Sequence, residues 1–266
     1  MKIPGSILGI IGGGQLGRMI SIAASRLGYK THIYDPEKDC PASQVANKFT
    51  CSEYYNKKDL QKFIRSCDVI TYEFENIPIE TLKELSASVE ILPSLEILSV
   101  SQDRYKEKNF INSLGIKLAK YYLINSIDTL ESALNNLGST GLLKTRRLGY
   151  DGKGQFKVSK DNFRAIWKSL NGEDFILEQW IDFDFEVSAI VIRDRRENIQ
   201  VYDISENKHK NGILVETKVP SKLNNKQIRL VKKIAIKISR ELNLVGILAV
   251  EFFISNKGEV LVNELA

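Results

Sequence analysis

The stretch ILGIIGGGQLGRM, residues 7–19, constrains the fold more than any other in this chain. A short apolar run ends in Gly12, Gly14 and Gly17, spaced G-x-G-x-x-G, and the periodic segment QLGRMISIAASRLG follows at once, closed by Gly28. This is a strand turning tightly into a helix, with glycines where the backbone must approach something closely. Asp35, at the end of THIYD, stands where a dinucleotide-binding turn carries the acid for a ribose. Taken alone the pattern is weak support for NAD, because glycines serve many kinds of turn.

The rest of the N-terminal part extends the same architecture. SILGII and KTHIYD are predicted strands, DLQKFIRSC a helix, DVITYEF a strand, PIETLKEL a helix and VEILP a strand. Such alternation predicts a parallel sheet covered by helices. DRYKEKNFINSLG then predicts a helix ended by Gly115. Beyond it the character changes. KYYLI and TGLLKTRR flank the helix DTLESALNNLG, and FKVS, FILEQW, FEVSAIVIR and NIQVYDI have the alternation of an antiparallel sheet. NKQIRLVKKIAIKISREL is a long amphipathic helix with Val231, Ile234, Ala235, Ile238 and Leu242 on its apolar face. A hairpin, ILAVEFFISNKGEVLVNEL, comes last. The expected class is α/β followed by α+β, with the boundary near residue 100.

Composition narrows the function. A net charge of +5, scattered over helix-like segments, reads as a solvated surface, and no nucleic-acid partner is expected. Cys40, Cys51 and Cys67 are odd in number and lack C-x-x-C spacing, which fits a reducing, cytoplasmic compartment. His32 and His209 are too few for a zinc centre. With no signal peptide and no apolar run of membrane-spanning length, no membrane association is expected.

Three segments carry chemistry. In LLKTRRLGYDGKGQF, Gly149, Gly152 and Gly154 form a flap downstream of Lys144, able to close over phosphates while the lysine supplies a point charge. It is not a Walker A loop, since no Gly-Lys-Ser/Thr leads into a helix; the alternative is a simple mobile hairpin. In ILEQWIDFDFE, Glu178 and Glu186 flank a strand-loop-strand. Its backbone at Trp180 and Ile181 could bond an adenine edge, and Glu186 could accept from ribose hydroxyls; solvated surface acids are the plainer reading. In the last hairpin, a two-residue turn at Lys257-Gly258 would set Glu251 directly opposite Glu264. Like charges so paired are destabilising unless a divalent cation lies between them. A longer loop would shift the register and send one glutamate to solvent.

Together these features resemble the ATP-grasp superfamily, and within it the 5-(carboxyamino)imidazole ribonucleotide synthases. The resemblance runs from GIIGGGQLGRM through YEFENIP, KTRRLGYDGKGQ, EQWIDFDFEVS, ENKHKNGIL and LVGILAVEFF to LVNELA, essentially the whole chain. It implies a Rossmann-like pre-ATP-grasp domain over 1–100 and an ATP-grasp domain over 101–266, with a lid at about 118–182 and a core at 183–266. The family's small C-terminal domain, which follows NELA, is expected to be absent here and its contacts to the substrate phosphate with it. The implied reaction uses ATP and bicarbonate to carboxylate aminoimidazole ribonucleotide in purine biosynthesis, in a homodimer.

The same resemblance assigns ATP contacts to Arg104, Lys144, the loop residues Gly149, Tyr150, Asp151, Gly152, Lys153, Gly154 and Gln155, then Glu178, Gln179, Trp180, Ile181, Glu186, His209, Asn263 and Glu264. Mg²⁺ or Mn²⁺ would sit on Glu251 and Glu264. Substrate contacts would come from Gln15, Leu16, Glu75, Tyr150, Asp151 and Lys153, the glycine turn serving this nucleotide and not NAD. Lys144, Asp151 and Lys153 would be catalytic: Lys144 offsetting phosphoryl charge, Asp151 orienting or deprotonating the amine, Lys153 near the carboxyl group. Lys153 stands where many relatives have arginine, so a monodentate ammonium replaces a bidentate fork. The competing readings are a formate-using glycinamide ribonucleotide transformylase, an NAD-dependent oxidoreductase and an inactive ATP-binding module.

Overall fold

The computed structural model describes residues 2–266 other than 74, 86–88, 139, 148, 150–153, 171–173 and 211. Tyr150, Asp151, Gly152 and Lys153 of the glycine flap therefore lie outside the described residues. The chain divides into two units, Met1–Ser99 and Val100–Ala266.

In the first unit the apolar run makes β1 (Ile7–Ile11), and the glycine turn leads into α1 (Gln15–Arg26). Gly17, Ser21 and Ala24 are the buried positions of α1, small residues that let the helix lie close. There follow β2 (Lys30–Asp35), β3 (Lys48–Cys51), α2 (Lys57–Arg65), β4 (Val69–Tyr72), α3 (Ile79–Leu85) and α4 (Leu95–Ser101). The sheet is wholly parallel, in the order β3-β2-β1-β4. Leu60, Phe63 and Ile64 of α2 pack with Ile11, Tyr34 and Ile70 from the strands. Two details differ from expectation. β3 is unheralded because a half-exposed strand of four residues is too short to show a period. VEILP does not form a strand: Ile91 makes one parallel bridge to Ile70, and the run serves the core, where Ile91 packs with Leu95 and Leu98.

The second unit begins with α5 (Arg104–Ser113), capped by Asp103 Oδ1 accepting from the N–H groups of Tyr105 and Lys106. β5 (Tyr121–Ile124), α6 (Ile127–Leu137), β6 (Thr140–Thr145), β7 (Gln155–Ser159), α7 (Phe163–Ser169) and β8 (Phe175–Gln179) follow. The four strands form an antiparallel sheet ordered β5-β8-β6-β7. α6 and α7 cover one face through Leu130, Leu134 and Phe163, packed on Leu143, Phe175 and Leu177. α6 starts at a Ser126–Thr129 capping box and stops at left-handed Gly138.

A second antiparallel sheet contains β9 (Phe183–Arg193), β10 (Ile199–Val201), β11 (Ser205–Lys210), β12 (Ile213–Lys218), β13 (Gly246–Ser255) and β14 (Val260–Leu265). Its order is β12-β11-β9-β13-β14, with β10 beside β9. The long helix α8 (Asn225–Glu241) buries Val231, Ile234, Ala235 and Ile238 as its pattern predicts; Leu242 falls at the C-cap, and Ser239 takes a buried place. Among the described residues no helix is long and apolar enough to cross a membrane.

The last hairpin departs from the two-residue turn. Ser255 N–H donates to Glu259 O at 3.0 Å, so three residues, with Gly258 at φ +76, close the loop. The register runs Ile254↔Val260 to Phe252↔Val262, then shifts to Val250↔Leu265. Between those pairs Glu251 alone faces both Asn263 and Glu264. Glu251 and Glu264 are thus brought together by a β-bulge, not by direct pairing.

Candidate active site

Strand alternation builds the polar cluster. On β6 and β8, Leu143 and Leu177 pack under the helices, so Lys144 and Glu178, one residue on, point the other way. Lys144 Nζ donates to Glu178 Oε2 at 3.0 Å, and both side chains are buried. α5 adds two cations from one face, since Arg104 and Lys108 are four residues apart. Arg104 bonds Glu264 Oε2 through Nη1 at 3.0 Å and Gly149 O through Nη2 at 2.8 Å. Lys108 Nζ lies 3.6 Å from Glu178 Oε2 and donates to Asn263 O.

These partners set the charges. Burial alone would raise the Glu178 carboxyl, but Lys108 and then Lys144 outweigh it and bring it down to about 2. Glu264 also falls below the ordinary carboxylate value, burial being overcome by Arg104. Glu251 goes the other way: burial, reinforced by Glu264, pushes it up to about 7. Neighbouring Glu107 is pushed up to about 8 by burial, with Lys108 opposing, and its Oε1 accepts from Leu265 N–H at 3.0 Å. Two buried oxygens, Glu178 Oε1 and Asn263 Oδ1, have no hydrogen-bond partner among the described residues.

The larger sheet supplies a second row. Glu186 stands across from Asn207 on one side and Phe253 on the other, and Ser188 across from Glu251, so these side chains share the face turned away from the buried Val187 and Phe252. His209 Nδ1 meets Glu186 Oε2 at 2.5 Å, and Asn207 Nδ2 donates to Ser188 Oγ at 2.5 Å. One end of the cluster offers cations and open acceptors. The other holds a carboxylate pair in which Arg104 bonds Glu264 while burial and Glu264 raise Glu251. A surface cleft of about 690 Å³ lined by Lys117, Gln227, Lys233 and Lys257 contains none of these groups.

In the first unit the glycine turn is already filled. Gly13 N–H donates to Asp35 Oδ2 at 2.7 Å, and Gly14 N–H to Glu73 Oε1 at 2.6 Å. Tyr54 OH and Glu37 N–H complete Asp35. A Cβ on Gly12 would come within 2.8 Å of Glu73, and one on Gly13 within 2.3 Å of Cys40 Sγ. The glycines are required by close packing inside the protein.

The family model of the ATP-grasp domain matches residues 109–266, and that of the ribonucleotide synthetase preATP-grasp domain residues 6–102. The N5-carboxyaminoimidazole ribonucleotide synthase of Brucella melitensis biotype 1 is 44% identical over 266 residues, covering 99% of this chain and 74% of the relative. Its counterpart in Bacillus subtilis (strain 168) is 39% identical over 264 residues, covering 99% and 70%. This chain belongs to the N5-carboxyaminoimidazole ribonucleotide synthase family. A crystal structure of an ADP complex of N5-carboxyaminoimidazole ribonucleotide synthetase matches it with a TM-score of 0.95 at 40% identity, over 100% of this chain and 71% of that one. The order anticipated from the sequence, a pre-ATP-grasp domain and then an ATP-grasp domain, is the one found.

In this synthase family member the structure draws Arg104, Lys144, Gly149, Glu178, Asn263 and Glu264 into one contiguous network. Glu186 and His209 are in contact with each other, and Glu251 lies by Glu264. Gln155 pairs with Lys144 across β6–β7, and Gly154 holds φ +69 against Thr145. Gln179 ends β8, its N–H donating to Lys120 O, and exposed Trp180 carries Lys157 Nζ over its ring at 4.0 Å. Half-buried Ile181 lies in the link to β9. Gln15 opens α1, Leu16 is exposed, and Glu75 is half-buried, all in the first unit. Sequence reasoning missed three residues. Lys108 was visible as the i+4 companion of Arg104, and Glu73 as the other acid of YEFEN; nothing in the pattern singled out Asn207.

Proposed function

We propose that the protein is a ligase that uses ATP and bicarbonate to carboxylate 5-aminoimidazole ribonucleotide, giving N5-carboxyaminoimidazole ribonucleotide in purine biosynthesis. The observation that carries this reading is the pair of buried oxygens without a partner among the described residues, Glu178 Oε1 and Asn263 Oδ1, beside the buried cations Lys108 and Lys144. Buried acceptors without donors are costly, so a ligand N–H and a cation are the fitting partners. Glu178 would accept from the adenine amine, with the backbone at Gln179, Trp180 and Ile181 along its edge. Glu186 and His209 would receive the ribose hydroxyls.

The donors also fit Mg²⁺ or Mn²⁺, which prefer hard oxygen ligands completed by phosphate. Among the described residues no group of three or more His, Cys, Asp and Glu side chains is placed to hold a metal ion. Glu251 and Glu264 would therefore supply two ligands and the nucleotide the rest. The cation, when bound, neutralises phosphate charge during phosphoryl transfer.

The chain's own groups do the remaining work. Lys144 and Arg104 offset charge on the transferring group. Bicarbonate oxygen attacks the γ-phosphorus and ADP leaves. The substrate amine then attacks the carboxyl carbon of carboxyphosphate, expelling phosphate and losing a proton to Asp151. The flap of Gly149, Tyr150, Asp151, Gly152, Lys153, Gly154 and Gln155 excludes water meanwhile, with Lys153 near the carboxyl group. Gln15, Leu16 and Glu75 contact the substrate. We place the working enzyme in the cytoplasm as a homodimer, a state that sedimentation would test. An ADP-release assay tests the chemistry. Bicarbonate and aminoimidazole ribonucleotide should together accelerate release and yield the carboxylated product; stimulation by formate and glycinamide ribonucleotide instead would reject it.

A further inference from the structure

Lys108 has no part in the chemistry just described, yet it is as deeply buried as any charged residue described in the second unit, at 2% exposure. An ammonium at that depth is expensive unless it is paired. Its partners lie on two different sheets. Nζ donates to the main-chain oxygen of Asn263 on β14 and stands 3.6 Å from Glu178 Oε2 on β8. Lys144 bonds that same Glu178 oxygen at 3.0 Å. Glu178 is thus gripped through one oxygen by two cations while its other oxygen, Oε1, has no partner among the described residues. To present Oε1 elsewhere the carboxylate would have to release both.

Asn263 matters for a separate reason. With Glu264 it makes the two-residue side of the bulge facing Glu251. A donor fixed on Asn263 O holds that bulge from behind. We propose that Lys108 is a positioning residue that locks the base-reading oxygen of Glu178 to the Asn263–Glu264 bulge, so that purine discrimination and cation-dependent phosphate binding depend on one ammonium.

This rests on the nucleotide site proposed above and adds to it a residue and a coupling. The discrimination follows from lone pairs. A carboxylate oxygen accepts from an amine at the purine 6-position, whereas a carbonyl there sets acceptor against acceptor. A carboxylate free to swing would lose that preference. Holding Glu178 ionised serves the same end, and Lys108 and Lys144 both do so against the effect of burial.

The test measures binding of Mg-ADP and Mg-GDP to the full chain by calorimetry, and the Mg²⁺ concentration at half-saturation. The variants are Lys108→Met, Lys108→Arg, Lys108→Gln, Glu178→Gln and the double variant Lys108→Met/Glu178→Gln. Losing a buried charge-assisted contact should weaken Mg-ADP binding about ten- to a hundredfold. It should also shrink the ADP-over-GDP preference and raise the Mg²⁺ requirement, with partial rescue by arginine. In the double variant, Lys108→Met should cost no further base preference but still raise the Mg²⁺ requirement, because the two act on the base through one oxygen. Base preferences that simply add, or an unchanged preference and Mg²⁺ requirement beside a lowered melting temperature, would overturn the proposal. If the methionine variant does not fold, Lys108→Gln, which keeps a donor for Asn263 O, must lose base preference more than Mg²⁺ response. A native chain that binds no Mg-ADP would refute the proposed function and this inference together. A native chain that binds it, with additive variants, refutes the inference alone.

Discussion

His32 looks like a candidate for chemistry and is a structural residue. It is buried in β2, with Ser66 Oγ and Thr50 Oγ1 each 2.8 Å from a ring nitrogen and Phe63 edge-on. Burial, with Lys48 adding, lowers it from 6.5 to about 4. The unfolded chain therefore binds a proton more readily than the fold between those values. The stability it contributes is complete above about pH 6.5 and is lost as pH falls toward 4, some 3 kcal/mol in all. Urea midpoints from pH 7 to 4 should fall less steeply in His32→Asn than in the native chain; parallel slopes would reject the assignment. The glycine turn gives a second outcome. Asp35 and Glu73 hold the N–H groups of Gly13 and Gly14 that a pyrophosphate would need. NADH fluorescence should not change on titration with the protein, and saturable enhancement would contradict that. The spacing of the glycines was legible in the sequence. Their reason was not, because Glu73 is 59 residues away from the turn it fills.

Whether a strand can be recognised depended on what its inner face does. β13 alternates cleanly because Leu248, Val250, Phe252 and Ile254 bury into the core. β11 carries no strand signal because its inward Ser205 and Asn207 are polar and its remaining residues charged or aromatic, so no apolar period exists. The hairpin shows a limit of another kind. Loop length fixes register, and Asn256-Lys257-Gly258 could be cut as a two- or three-residue turn. The longer loop forms, and the bulge still brings Glu251 to Glu264, as the two-residue turn would have done by direct pairing. Gly258 can be tested without touching the site. An added Cβ would meet only Gln227 Nε2 at 3.5 Å, so the cost of Gly258→Ala is that of a left-handed φ of +76, roughly 1–2 kcal/mol. Chemical denaturation should show that loss while Mg-ADP affinity stays within about twofold of native. A large affinity loss would mean the loop steers the bulge.

The division into two units, Met1–Ser99 and Val100–Ala266, puts every proposed ATP and metal contact in the second. Ligand that binds only the folded state stabilises it by RT ln(1 + [L]/Kd), about 2.7 kcal/mol at a hundredfold excess over Kd. Amide exchange with saturating Mg-ADP should therefore slow on β6, β8, β13 and β14, while β1 to β4 keep their native rates. Glu264→Gln sharpens the argument. It preserves shape but removes the charge that Arg104 bonds at 3.0 Å and that reinforces the raised Glu251 carboxyl. Glu251 should then ionise at lower pH, yet the pair would hold one negative charge where a divalent cation needs two. Mg²⁺-dependent protection of β13 and β14 should vanish in this variant, and any remaining protection of β6 and β8 should be indifferent to Mg²⁺, since Glu178 is held by Lys144 and Lys108 and not by the Glu251–Glu264 pair. Equal Mg²⁺-dependent protection in native and variant chains would remove Glu264 from the metal site, and protection spreading evenly to β1 to β4 would show that nucleotide acts on more than the second unit.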